Sequence, residues 1–148
     1  MKTVIKKFDE LSSSELYEIL KVRAEVFVVE QNCPYNDVDG KDYKSTHIMI
    51  KKNDAIAAYI RTIPAGISYE TSSFGRVLVS KEFRGEGLAK LIVEAAIKQL
   101  FEIEKVDAIT IGAQHYLEKF YSSFGFKTIS EVYLEDDIPH VDMLLVKK

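Results

Sequence analysis

The apolar triplet Val77-Leu78-Val79, followed five residues later by Arg84-Gly85-Glu86-Gly87-Leu88-Ala89-Lys90, constrains this chain more than any other stretch. It reads as a strand, a short charged turn, a loop punctuated by glycines, and the start of a long helix. Amides at a helix N-terminus lack an intrahelical acceptor and carry partial positive charge, so such a loop suits phosphate oxygens. Glycine lets the backbone approach an anion with no Cβ in the way. The first expectation is a pyrophosphate-bearing cofactor at a strand–loop–helix junction. A purely structural turn is the plainer alternative.

Hydrophobic periodicity lays out the rest. Residues 2–8 read as a first strand. Ser12-Ser13-Ser14-Glu15 offers N-cap chemistry. Leu16, Ile19, Leu20, Arg23 and Phe27 follow at helical spacing, with only Arg23 breaking the apolar stripe, and the helix should end near Glu30-Gln31-Asn32. Residues 33–45 form a polar loop. Residues 48–50 and 55–63 pair as a hairpin through Asn53-Asp54, and a longer strand spans 69–80. After the glycine loop, Leu88, Leu91, Ile92, Ala95, Ala96, Gln99, Leu100 and Ile103 form one stripe, apolar apart from Gln99. A strand over 107–112, a short helix over 115–124 stopped by Gly125, and strands over 126–134 and 141–146 complete the order. Strands and helices therefore run β, α, β, β, β, α, β, α, β, β. This is an α/β (α+β) chain, a mixed sheet with helices packed on it, and its central strand–helix–strand unit should be right-handed with parallel strands.

Composition narrows the class. A chain of 148 residues, 47% hydrophobic, suits one domain with a sizeable core. Charges of both signs are interspersed and the formal net charge is -3, which argues against disorder and against a nucleic-acid binder. Cys33 is alone and cannot form an internal disulfide. No apolar run approaches the ~18 residues of a membrane span, and residues 1–7 carry no apolar leader core. A soluble cytoplasmic protein with no membrane partner is expected. The three histidines and one cysteine show no metal-ligand spacing. Asp37, Asp39 and Asp42 lack the glycine position and terminal glutamate of an EF-hand loop, so no metal is expected.

Two readings of the glycine loop fail. No G-K-[ST] closes it as a P-loop. Asp107 lies 20 residues after Gly87, as a dinucleotide fold would want, but it precedes its strand rather than ending it, and Lys90 replaces the third glycine. The third reading fits. Arg84-x-x-Gly87-x-Ala89, with the strand before it and the helix after it, resembles the R/Q-x-x-G-x-G/A signature of the GNAT superfamily of N-acetyltransferases. Phe120-Tyr121-Ser122-Ser123-Phe124-Gly125-Phe126 is similar to the family's F-Y-x-x-x-G-F element, and Gln114 stands seven residues before Tyr121, where many members carry Asn. The segment from Phe27 to Tyr35, Gly112-Ala113-Gln114, Glu131-Val132-Tyr133 and Ile138-Pro139-His140 resemble the ElaA-like subfamily.

The resemblance implies an acyl-CoA N-acyltransferase fold, with a central, mostly antiparallel mixed sheet flanked by helices, over one domain spanning 1–148. It implies acetyl-CoA as cosubstrate and direct acetyl transfer to an amine of a small molecule or peptide. Gly85, Glu86, Gly87, Leu88, Ala89 and Lys90 would hold the pyrophosphate, with Arg84 beside them. Val77, Leu78 and Val79 would pair with the pantetheine arm, and an N–H of Leu78 or Val79 would meet the oxyanion. Gln114 would lie near the cofactor, and His115 and Tyr116 could contact it. Tyr121 would be the general acid, since a phenol with a pKa of about 10 is protonated at neutral pH.

The usual carboxylate base of the family falls at Ser73, which cannot serve. Candidates for the base are His140 and Glu30, with His47 and Glu70 behind them. The acidic loop 36–42 and Asp136-Asp137 lean toward a cationic acceptor. A homodimer is compatible with the superfamily. The alternative function is a non-catalytic acyl-CoA-binding or sensing domain. A structural or protein-interaction domain is a third reading, and it predicts no CoA-dependent thermal shift.

Overall fold

A computed structural model describes residues 1–148. Strands β1 (Lys2–Lys7), β2 (Thr46–Lys52), β3 (Ala55–Ile63) and β4 (Ser73–Val79) form an antiparallel sheet in chain order. The turn between β2 and β3 places Asn53 and Asp54 at φ of 52° and 64°, the left-handed pair that a two-residue hairpin requires. A second antiparallel sheet is built on β8 (Ile138–Val146). Strands β5 (Ala108–Gln114), β6 (Lys127–Thr128) and β7 (Tyr133–Glu135) all pair with it.

The two sheets meet at a single parallel bridge, Ser72 to Ile109, where the Thr110 N–H donates to the Ser72 carbonyl at 3.0 Å. The expected parallel pairing of β4 with β5 is confined to that point. Beyond it the strands cease to pair, and the space between them is lined by residues 74–77 of β4 and 111–114 of β5.

Alternation along the strands sends neighbouring side chains to opposite faces. On one face Ile48, Ile50, Ala58, Ile60 and residues of the second sheet bury Ile92, Val93 and Ala96 of helix α2 (Leu88–Lys98). On the other, Met49, Tyr59 and Leu78 bury Ile19 of helix α1 (Ser13–Arg23) together with Phe27. Helix α1 starts as the sequence suggests. The Ser12 hydroxyl accepts from the Glu15 N–H at 3.0 Å, and the Glu15 carboxylate accepts from the Ser12 N–H at 2.9 Å. Past Arg23 the helix widens into a π-turn over Ala24–Glu30, a feature that often marks functional positions.

Four expectations need correction. Strand β4 begins at Ser73, not at 69. The chain turns over 64–72, with Gly66 at φ 88° donating to the Tyr69 carbonyl, so that Tyr69 can reach Asp142 in the second sheet. The stretch 126–134 is not one strand. Ile129 donates to the Asp142 carbonyl and Ser130 accepts from the Asp142 N–H, which breaks the ladder between β6 and β7. Strand β8 begins at Ile138, three residues before its expected start at Val141. The short helix after β5 is a 3₁₀ turn, His115–Leu117, running into helix α3 (Glu118–Ser122).

Candidate active site

The loop before α2 has the geometry of an anion cradle. Gly85 and Gly87 adopt φ of 84° and 77°, and a Cβ at either would meet no atom within 4 Å, so the space beside them is open. Gly87 caps α2 with no side-chain acceptor. The first backbone bond of the helix runs from the Leu91 N–H to the Gly87 carbonyl, so the amides of Leu88, Ala89 and Lys90 have no intrahelical partner. Such a set of donors fits the pyrophosphate of coenzyme A.

Two charged side chains of the loop, Arg84 and Glu86, are each paired with an opposite charge outside it. The Glu86 carboxylate is held by the Lys52 ammonium. Arg84 donates through Nη1 and Nη2 to both oxygens of Glu30 at 2.5 and 2.7 Å, and through Nε to the Val79 carbonyl at 3.0 Å. The Arg84 hydrogen bond holds the exposed Glu30 carboxyl below the usual carboxylate range.

Between the splayed strands lies a cavity of about 190 Å³. Its walls include Phe74 and Val77 from β4, Ala113 and Gln114 from β5, and Tyr121 from α3. His140 and Glu135 border it from β8 and β7. Tyr121 is 5% exposed and packs among Phe74, Phe120 and Phe126. Burial pushes its hydroxyl pKa up, so it remains protonated through neutral pH. Its hydroxyl has no hydrogen-bond partner in the protein, and the residue lines the cavity.

His140 is buried and stacks on Tyr133 with ring centroids 6.0 Å apart. Its Nδ1 lies 2.7 Å from the Ile138 carbonyl, which can only accept, so Nδ1 carries the proton. Nε2 makes no hydrogen bond and lies 3.5 Å from the Glu135 carboxylate. Of the four base candidates, His140 alone borders the cavity. Glu30 is engaged by Arg84 outside it. His47 is sealed below the loop 33–45, with Nδ1 accepting from the Tyr59 hydroxyl at 2.6 Å and Nε2 donating to the Asp42 carbonyl at 3.0 Å, and burial lowers its pKa. Glu70 is exposed on the turn that precedes β4. Ser73 is buried and donates to the Phe74 carbonyl. His115 is a surface residue 3.7 Å from Glu118, whereas Tyr116 lines the cavity.

The aspartates of loop 36–42 are not free to attract a ligand. Arg23 bridges Asp37 and Asp42 at 2.8 and 2.6 Å, Arg61 bridges Asp42 and Asp39 at 3.0 and 2.5 Å, and Arg76 bridges Asp39 and Asp37 at 3.3 and 2.7 Å. Three arginines and three aspartates thus close a neutral ring of alternating charge. The Arg76 Nε faces the Asp37 carboxylate off the hydrogen-bond line, so that contact is chiefly coulombic.

Arg76 holds φ 53° inside β4, at a bulge where Arg76 and Val77 together oppose Ile60. Its guanidinium lies over the Tyr35 ring, 5.4 Å from the centroid, and Tyr35 lines the cavity. Arg76, Tyr35 and Glu135 were not legible as site residues. The bulge leaves no trace in composition, and Glu135 is one acid among several in the 131–137 segment.

A splayed pair of sheets, a glycine loop that opens a helix and a buried phenol lining the gap are the features of an acyl-CoA N-acyltransferase. Residues 12–147 match the model of the acetyltransferase (GNAT) domain, and the chain belongs to that family. Within it the chain is ElaA-like. It is 43% identical to Protein ElaA of Escherichia coli strain K12 over 136 residues, covering 90% of this chain and 89% of that one. The crystal structure of Escherichia coli ElaA superposes with a TM-score of 0.90 at 39% identity, over 97% of each chain. An acyl-CoA N-acyltransferase from Pseudomonas aeruginosa superposes with a TM-score of 0.91 at 35% identity, over 97% of this chain and 99% of that one. The expected fold class is confirmed. Family and fold together make the chain an acyltransferase that uses acyl-CoA. No helix is long and apolar enough to cross a membrane.

Proposed function

We propose that this protein transfers acetyl from acetyl-CoA directly to the amine of a small molecule or peptide in a ternary complex, with Tyr121 as general acid and His140 as base. The observation that carries the reading is Tyr121, a buried residue whose hydroxyl bonds no other group of the protein, lining the same cavity as His140. Acetyl-CoA would supply a thioester carbonyl whose carbon is open to attack and whose sulfur can leave. The amine loses a proton to His140 Nε2 as its lone pair forms the new C–N bond. A backbone N–H of Leu78 or Val79 would stabilise the charge on the carbonyl oxygen. As the C–S bond breaks, Tyr121 donates its proton to the sulfur. Glu135, 3.5 Å from Nε2, stabilises the imidazolium and leads from it to solvent.

The test is CoA release across an amine panel by wild type and Tyr121→Phe. Loss of a positioned general acid should lower kcat roughly a hundredfold or more, with the KM for acetyl-CoA little changed. Tight acetyl-CoA binding with no turnover on any amine would support the sensor reading instead.

A further inference from the structure

We propose that the amine acceptor is a small aliphatic diamine or polyamine, one nitrogen reacting in the cavity while a second, still charged, is held at its mouth by Glu135 and Asp136. This rests on the acetyl-transfer reading above and assigns the acceptor's class.

Charge is the first support. The arginine that lines the cavity, Arg76, is neutralised by Asp37 and Asp39, and no lysine lines it. Glu135 and Asp136 also line it, and both are exposed to solvent at the rim. Asp136 makes no ion pair, and Glu135 faces only His140, which is neutral in the state that accepts a proton. The acceptor side therefore carries uncompensated negative charge at its mouth. The inner end supplies the independent mark of a ligand, the unpartnered hydroxyl of Tyr121, a residue more than nine-tenths buried.

Chemistry is the second support. A carboxylate beside an ammonium raises its pKa and hinders the deprotonation that attack requires. Two carboxylates at the mouth would thus oppose transfer to the nitrogen they hold. They favour it only if the nitrogen they hold is not the one that reacts. A second cation, separated from the reacting amine by an alkyl chain, satisfies both demands. The mouth is also built to stay in place. Asp136 and Asp137 form a tight turn at φ of 50° and 62°, and the Cys33 thiol donates to the Asp136 carbonyl at 3.7 Å.

The experiment compares an α,ω-diaminoalkane, the monoamine of equal length and the ω-amino acid of equal length. Turnover is read by CoA release, and diamine binding to the CoA-loaded protein by calorimetry. The variants are Asp136→Asn, which suits the left-handed backbone there, and Glu135→Gln/Asp136→Asn. The diamine should exceed the monoamine in kcat/KM by about three- to tenfold, and the amino acid should be poorest. That ratio should collapse toward unity in the double variant, on top of the common loss in kcat that removing the Glu135 carboxylate brings to all three acceptors. Binding of the diamine that weakens in the double variant, with no CoA release from any acceptor, would sustain the diamine site and sink acetyl transfer. Equal kcat/KM for the three acceptors, or no diamine binding to the CoA-loaded protein, overturns the inference.

Discussion

The proton of His140 sits where a single carbonyl puts it. Because Ile138 can only accept at Nδ1, the ring offers Nε2 to the cavity. Tyr133 stacks on that ring and is itself tied down, since its hydroxyl donates to Asp142 at 2.6 Å while Tyr69 donates to the same oxygen at 2.9 Å. Gly112 makes this possible. A Cβ there would lie 2.9 Å from the Tyr69 hydroxyl and 3.1 Å from that of Tyr133. Both hydroxyls are already committed to Asp142, so neither can retreat without losing a hydrogen bond. Gly112→Ala should therefore destabilise the protein by about 1–3 kcal/mol, read as a lower urea midpoint at unchanged m-value. At the same scale, His140→Asn should lower kcat by roughly a hundredfold while leaving acetyl-CoA binding intact. An unaltered kcat in that variant would take the base role away from His140.

At the scale of elements, the ring of three arginines and three aspartates fastens the loop over residues 33–45 to α1, β3 and the bulge of β4. Arg23 is wholly buried and also donates to the Asp37 carbonyl at 2.9 Å. Replacing it with methionine would leave Asp37 and Asp42 buried with one fewer cation between them. Breaking one side of such a buried pair should cost about 3–5 kcal/mol, measurable by urea unfolding of Arg23→Met. A loss within about 0.5 kcal/mol would mean that the loop opens to water at little cost.

The sequence marked both halves of this device without joining them. Arg23 stood out as the single charge in an apolar stripe, and Asp37, Asp39 and Asp42 as a polar loop. Periodicity reads contacts within an element, whereas these partners lie 14 to 39 residues apart. For the same reason the α2 stripe, the N-cap of α1 and the β2–β3 turn were legible. The start of β4, the break between β6 and β7, and the bulge at Arg76 were not, because each answers to a residue on another strand.

The molecule is two antiparallel sheets joined by one parallel bridge, and few polar ties cross between its parts. Asp39 and Asp42 sit in the ring. Burial alone would raise their carboxyl pKa values, but hydrogen bonds from Arg61 and Arg23 outweigh it and hold both below the usual range. Glu15, which ties α1 to β1 through Lys6 at 2.8 Å, is likewise lowered, to about 2, by its Lys6 hydrogen bond. A carboxyl whose folded pKa lies below its unfolded value binds fewer protons folded than unfolded, so its contribution is complete above the unfolded value and lost as pH falls through the folded one. Each proton gained by the ring also leaves a buried guanidinium charge uncompensated. Stability should thus be flat on this account above about pH 5 and fall steadily below about pH 4, where free carboxyls begin to protonate. Urea midpoints measured from pH 7 to pH 3 would trace the fall. Asp39→Asn, which removes one of these carboxyls, should be less stable at neutral pH and show a shallower acid limb. A wild-type midpoint that holds constant down to pH 3 would show that the ring and the Lys6–Glu15 tie contribute nothing net to holding the fold together.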